Sequence, residues 1–210
     1  MTWEQENFPA ILNVWFGGCE SGDAICDVLF GDKVPSGKLT ATMPKSVGQI
    51  PLYYNHLNTG RPLKEGKWFS KFTSNYLDID NDPLYPFGYG LSYTTFKYGK
   101  PTLSSNTMTN NETISVSVDI TNTGNYDADE IAQMYIRDLA ASVSRPVKEL
   151  KGFERISIKK GETKTVTFTI TPEDLKFYNQ ELEYKNEPGE FEVMVGPNSK
   201  DVQTLTFTLK

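Results

Sequence analysis

The chain has 210 residues, 38% of them hydrophobic, enough for one large domain or two modest ones with separate cores. Its formal net charge is −6, with both signs interspersed and no basic block to track a phosphate backbone, so nucleic acid is not an expected partner. No apolar run reaches the roughly 20 residues of a membrane helix, and the stretch from Thr2 to Glu6 is acidic where a secretory leader is basic, so no membrane partner is expected either.

The first apolar run, Ala10 to Phe16, is short and nearly continuous, as in a strand buried on both faces of a parallel sheet. Gly17 and Gly18 end it. A helix follows, with Ile25, Val28 and Leu29 at helical spacing, Glu20, Ser21 and Asp23 at its amino-terminal turn and Gly31 closing it. After the Pro35-Ser36-Gly37 turn, Gly37 to Met43 reads as a second strand. Such a strand–helix–strand unit is part of an α/β domain and cannot cover its own faces. Cys19 and Cys26 are the only cysteines; their spacing of seven suits neither a metal pair nor a disulfide, and two buried thiols are expected.

From Pro44 to Phe96 periodicity is poor, and Gly, Pro, Asn, Tyr and Trp dominate. An irregular stretch of that length is either functional or wraps a neighbouring domain. Near Asn111 the texture changes: Ile114, Val116, Val118 and Ile120 alternate with Ser115, Ser117, Asp119 and Thr121. Further strands are predicted at Glu130 to Arg137, Val147 to Ile156, Lys164 to Thr171, Glu181 to Tyr184, Glu190 to Val195 and Thr204 to Leu209, with one helical turn at Pro172 to Leu175. About seven strands in some 100 residues is the inventory of an immunoglobulin-like sandwich.

Three blocks carry a resemblance. The first is Trp15-Phe-Gly-Gly-Cys-Glu-Ser-Gly-Asp-Ala-Ile-Cys-Asp-Val-Leu-Phe-Gly31 with Pro35 to Leu39; the second is Tyr85-Pro-Phe-Gly-Tyr-Gly-Leu-Ser-Tyr-Thr-Thr-Phe96; the third combines Val118 to Gly124 with Leu150 to Arg155. Across essentially the whole chain these resemble the carboxy-terminal region of family three glycoside hydrolases, the β-glucosidases and β-xylosidases. The resemblance implies the end of an α/β sandwich domain (residues 1–60), an irregular interdomain linker (61–97) and a fibronectin type III-like β-sandwich (98–210). It also implies a parent with a (β/α)8 barrel bearing an Asp nucleophile and an α/β domain supplying a Glu acid/base, both upstream of this sequence. No catalytic residue is therefore expected in this chain, which would buttress the active-site domains, and glycoside or oligosaccharide substrate would be met through the missing domains; the alternative is a non-catalytic module whose sandwich binds carbohydrate or another protein. The family is commonly periplasmic or secreted. No cofactor is implied, because two carboxylates and water suffice for this hydrolysis.

Other motifs have plainer readings. Glu20 and Asp23 sit where carboxylates stabilise a helix start. Asp78 to Asp82 opens like a calcium loop, but Pro83 stands where glycine is required and Tyr89 where the bidentate Glu would be, so no metal site is expected. His56 is the only histidine and lacks a metal-binding partner of its kind. Asn111-Glu-Thr113 fits a glycosylation acceptor. Trp68, Phe69 and Tyr76, with Phe72, Arg61 and Lys67 nearby, form the one constellation suited to sugar contact, since aromatic faces stack on pyranose rings; the competing reading is interdomain packing, as for Phe87, Tyr89 and Tyr93.

Overall fold

A computed structural model describes residues 1–64 and 67–210; Glu65 and Gly66, within the predicted linker, lie outside the described residues. The alternating pattern from Asn111 onward becomes a two-layer sandwich. One sheet carries β4 (Ile114–Asn122) between β7 (Thr163–Ile170) on one side and the short β1 (Phe96–Tyr98) and β2 (Thr102–Leu103) on the other. The second runs β3 (Thr107–Met108), β11 (Gln203–Leu209), β10 (Gly189–Gly196), β5 (Ala128–Asp138) and β6 (Glu149–Ile158). All pairs are antiparallel except β3 with β11. The inward residues Ile114, Val116, Val118 and Ile120 meet Ala132, Met134, Ile136, Phe191, Val193 and Phe207, each at most 4% exposed. Burial of this apolar face is what makes the sandwich self-sufficient. The remaining short pair is the hairpin of β8 (Phe177–Tyr178) and β9 (Tyr184–Lys185), which follows a 3-10 turn at Pro172–Leu175.

β5 departs from simple alternation. Ala132, Met134 and Ile136 face the core, yet Gln133 and Tyr135 between them are also buried. The irregular stretch from Pro44 to Phe96 lies across their outer face. Tyr54 stacks on Phe87 at 4.3 Å and meets Tyr135 edge-on at 5.8 Å, while its hydroxyl accepts from the Leu150 amide. The Gln133 amide donates to the carbonyls of Gly88 and Pro197, and the Ser199 amide donates to the Phe87 carbonyl. Val147 N–H donates to His56 O, fastening the same stretch to the β5–β6 loop. The polar, glycine-rich sequence is thus a strap whose backbone groups are satisfied by the sheet beneath it.

The amino-terminal part differs from the sequence expectation. Its helices are α1 (Thr2–Asn7) and α2 (Ser21–Phe30), the latter closed by Gly31 in the left-handed conformation as predicted. Ala10 to Phe16 is not a strand, because among the described residues it has no neighbour to complete a ladder, and a single extended segment has no use for its backbone donors. Gly37 to Met43 is likewise irregular, but it does find backbone partners: Leu39 N–H donates to Tyr89 O, Gly88 N–H to Leu39 O and Met43 N–H to Tyr85 O. The strap has taken the place of a sheet neighbour. Glu20 is the residue at the start of α2 but makes no side-chain capping bond, leaving only its charge to favour the terminus. The two thiols are exposed, not buried: Cys26 lies on α2, which has no buried residue, and Cys19 in the turn before it.

Amides of residues 8–20 should therefore exchange with solvent far faster than those of β4, β5 and β10, in hydrogen-exchange mass spectrometry of the purified chain. Equal protection in both regions would contradict this difference in packing.

Candidate functional site

The predicted aromatic constellation sits on a loop fastened around one buried side chain. Gln49 is fully buried; its side-chain oxygen accepts from the Lys45 amide at 2.7 Å, and its amide donates to the carbonyls of Asp80 and Asp82 at 3.0 and 3.2 Å. The Tyr76 hydroxyl donates to the Gln49 carbonyl at 3.0 Å. Lys45 Nζ lies 2.7 Å from the Asp80 carboxylate, and that hydrogen bond, reinforced by the lysine's charge, holds the Asp80 carboxyl below its usual range despite partial burial. Asn81 closes the loop, accepting from Tyr76 N–H and donating to Ser74 O.

On this frame Trp68 and Phe69 stand together, ring centroids 5.6 Å apart, with Trp68 and Phe72 well exposed. Tyr76 does not join them: it is half-buried and used as an anchor. The site therefore brings two of its three predicted residues into one surface. Phe87 stacks on Tyr54 and Tyr89 on Tyr85, within the strap itself, and the Tyr93 hydroxyl donates to Val28 O at the end of α2.

Carboxylates are placed for structure. Asp80 pairs with Lys45 and Asp82 with Lys200 at 2.8 Å, so two of the loop's carboxylates are held by lysines, and no group of three or more metal-binding side chains occurs among the described residues. Glu130 is buried at the edge of the sandwich, 3.2 Å from Lys38 Nζ and accepting from the Tyr98 hydroxyl at 2.9 Å. Burial first, then the neighbouring Glu130, pushes the Tyr98 phenol far above its ordinary value, so it stays a donor.

A cavity of about 250 Å³ lies between Asn58 and the loop Arg137 to Arg145, a segment to which, beyond Arg137 itself, the sequence patterns assigned no element and no role. It is polar, and burial raises Asp138 there above the ordinary carboxyl range. Two working carboxyls are needed for glycoside hydrolysis. Its acidic neighbours are engaged, Glu149 by Arg145 at 2.7 Å and Glu187 by Ser142. The cavity thus offers one carboxyl, not a pair.

Known proteins supply the context. Residues 1–93 match the glycosyl hydrolase family 3 C-terminal domain, and residues 130–199 the fibronectin type III-like domain. A periplasmic β-glucosidase of Salmonella typhimurium is 55% identical over 206 residues, covering 98% of this chain and 27% of that protein. A β-xylosidase of Formosa agariphila is 47% identical, over 98% of this chain and 28% of its own length. Among solved structures, the β-glucosidase of Listeria innocua in complex with gluconolactone superposes with a TM-score of 0.88 at 45% identity, over 94% of this chain and 27% of that one. The β-glucosidase of Erythrobacter marinus gives a TM-score of 0.88 at 40% identity, over 99% and 26%. The chain spans about a quarter of the length of the relatives it matches. No helix among the described residues is long and apolar enough to cross a membrane. In sequence and in fold the chain belongs to the carboxy-terminal region of the family 3 glycosyl hydrolases, the end of the α/β domain followed by a fibronectin type III-like sandwich.

Proposed function

We propose that this chain is the carboxy-terminal portion of a periplasmic or secreted retaining β-glycosidase, acting on terminal β-linked glucosides or xylosides, and that its own part is to support the domains that carry the chemistry. In this reading the nucleophile and the acid/base lie in other parts of the parent, and residues 1–60, 61–97 and 98–210 are α/β portion, linker and sandwich. The observation that carries it is the contrast in packing within the chain. The sandwich encloses its own core, whereas Leu12, Val14, Ile25 and Val28 line an open apolar groove and Phe16 and Phe30 are almost wholly exposed. Apolar surface of this extent, on an element with no buried residue, is surface shaped for a neighbour.

The purified chain should show no turnover of 4-nitrophenyl β-glucoside or β-xyloside above a blank preparation. Turnover that co-purifies with the chain and disappears on Asp138→Asn would overturn this reading, because it would place the chemistry in the 250 Å³ cavity. Trp68 and Phe69 we assign to sugar or aglycone contact in the intact parent, with Tyr76 holding their loop in place. Trp68→Ala in the full-length enzyme should raise KM about tenfold while changing kcat little, since a stacking contact of this kind binds ground and transition states alike.

A further inference from the structure

The β8–β9 hairpin presents aromatic surface that neither the core nor the strap uses. Tyr178 and Tyr184 lie directly opposite each other, their ring centroids 5.0 Å apart, and are 65% and 49% exposed. Strand alternation fixes this outward direction. Phe177, one position earlier, is buried and carries the Arg145 guanidinium over its ring at 4.5 Å, so Tyr178 must project from the opposite face.

The hairpin is rigid as well as exposed. Asn179 is 4% exposed, and its side-chain oxygen accepts from the amides of both Glu181 and Glu183. Leu182 N–H donates to Asn179 O, closing the tip, and Gln180 reaches the Ser142 carbonyl on the neighbouring loop. Little ordering would therefore accompany ligand binding. Around the rings stand charges of both signs that already satisfy one another: Lys185 with Glu183 at 2.7 Å, and Lys176 with Glu173 at 2.6 Å, the latter lysine 5.8 Å from the Tyr184 ring.

We propose that Tyr178 and Tyr184 form a surface binding site for an extended β-linked oligosaccharide. Each ring offers a face to the C–H side of a pyranose, and their separation is comparable to one sugar residue of an extended chain. The lysines and glutamates around the rings supply donors and acceptors for hydroxyls, and with Glu181 and Glu187 also near Lys185 the surface is acidic overall, unsuited to an anionic ligand. The choice of a β-linked glycan rests on the reading of the parent as a β-glycosidase, but the site itself is independent of where that parent's carboxylates lie.

Affinity electrophoresis of the chain through gels containing barley mixed-linkage β-glucan or xylan tests it, with cellohexaose and xylohexaose titrations read by tyrosine fluorescence. Retardation by at least one polysaccharide is expected, with affinity falling about tenfold or more in Tyr178→Ala/Tyr184→Ala, the scale of losing central aromatic anchors. It should persist in Tyr178→Phe/Tyr184→Phe, which keeps the faces. Unretarded native chain, retardation that survives the double alanine variant, or loss in the phenylalanine variant would each overturn the proposal. So would a concentration-dependent dimer that dissociates in the double alanine variant without any glycan retention. None of these readouts depends on turnover, so an inactive chain leaves the test intact.

Discussion

Replacing Lys38 with alanine should destabilise the chain by about 3 kcal/mol, because it strips the partner from a buried carboxylate. The side chains of Lys38 and Glu130 are 12% and 5% exposed, and both Glu130 oxygens lie 3.2–3.3 Å from Nζ. After the substitution the Tyr98 hydroxyl would remain as Glu130's partner in the present bonding pattern. The loss belongs to the stranded charge more than to the ion pair, so Lys38→Met/Glu130→Met should return to within about 1.5 kcal/mol of the native chain. Urea unfolding followed by tryptophan fluorescence and far-ultraviolet circular dichroism measures both. A single-variant loss below about 1 kcal/mol would show that water already reaches Glu130. The Tyr98 bond has its own pH signature. The folded phenol is raised above its unfolded value, so its contribution is complete below about pH 10 and declines as pH rises beyond that. Tyr98→Phe should flatten the alkaline limb of the stability profile.

Gly88→Ala is expected to release the strap. Gly88 has φ of 79°, and a Cβ there would stand 2.1 Å from the Gln133 side-chain oxygen. Gln133 cannot step aside without giving up its bonds to Gly88 O, Pro197 O and the Tyr135 hydroxyl, all in a site only 3% exposed. Left-handed strain of about 1 kcal/mol and one or two disrupted buried hydrogen bonds together amount to about 3 kcal/mol. The damage should be local. Limited proteolysis should cut residues 44–93 well before the sandwich yields, whereas Gly161→Ala, with φ of 76° but open space around it, should cost only about 1 kcal/mol and leave the strap resistant. Simultaneous cleavage of strap and sandwich in Gly88→Ala would show that the two unfold as one unit.

These two positions also mark where the sequence was readable. The strands of the sandwich were, most clearly where Ile114 to Ile120 and Thr165 to Ile170 alternate, because an antiparallel sheet with one wet face imposes that period. The short β1, β2 and β3 were missed: at two or three residues each they carry no period to detect. The strand expected at Ala10 to Phe16 failed for a different reason. Its composition suits a sheet interior, but a strand exists only with a neighbour, and among the described residues none pairs with it. The exposed cysteines share that cause, since burial was inferred from residue type while the packing that buries a helix comes from outside it. At the candidate site, Trp68 and Phe69 were legible as paired aromatics, but the anchor that orders their loop was not. Gln49 works through backbone carbonyls of Asp80 and Asp82, and carbonyls leave no trace in composition.

The doubly covered β5 bears on how this polypeptide could be cut and reused. A sandwich excised at residue 98, the expected start of the domain, would lift the strap from Gln133 and Tyr135 and present their face to water, with the Gln133 amide bereft of the Gly88 carbonyl. That surface would be sticky and poorly ordered, a poor starting point for a fusion partner or a crystallisable fragment. A cut ahead of Gly37 keeps Lys38 on Glu130 and leaves the backbone pairs of Leu39 and Met43 with the strap intact, which makes the portable unit residues 37–210.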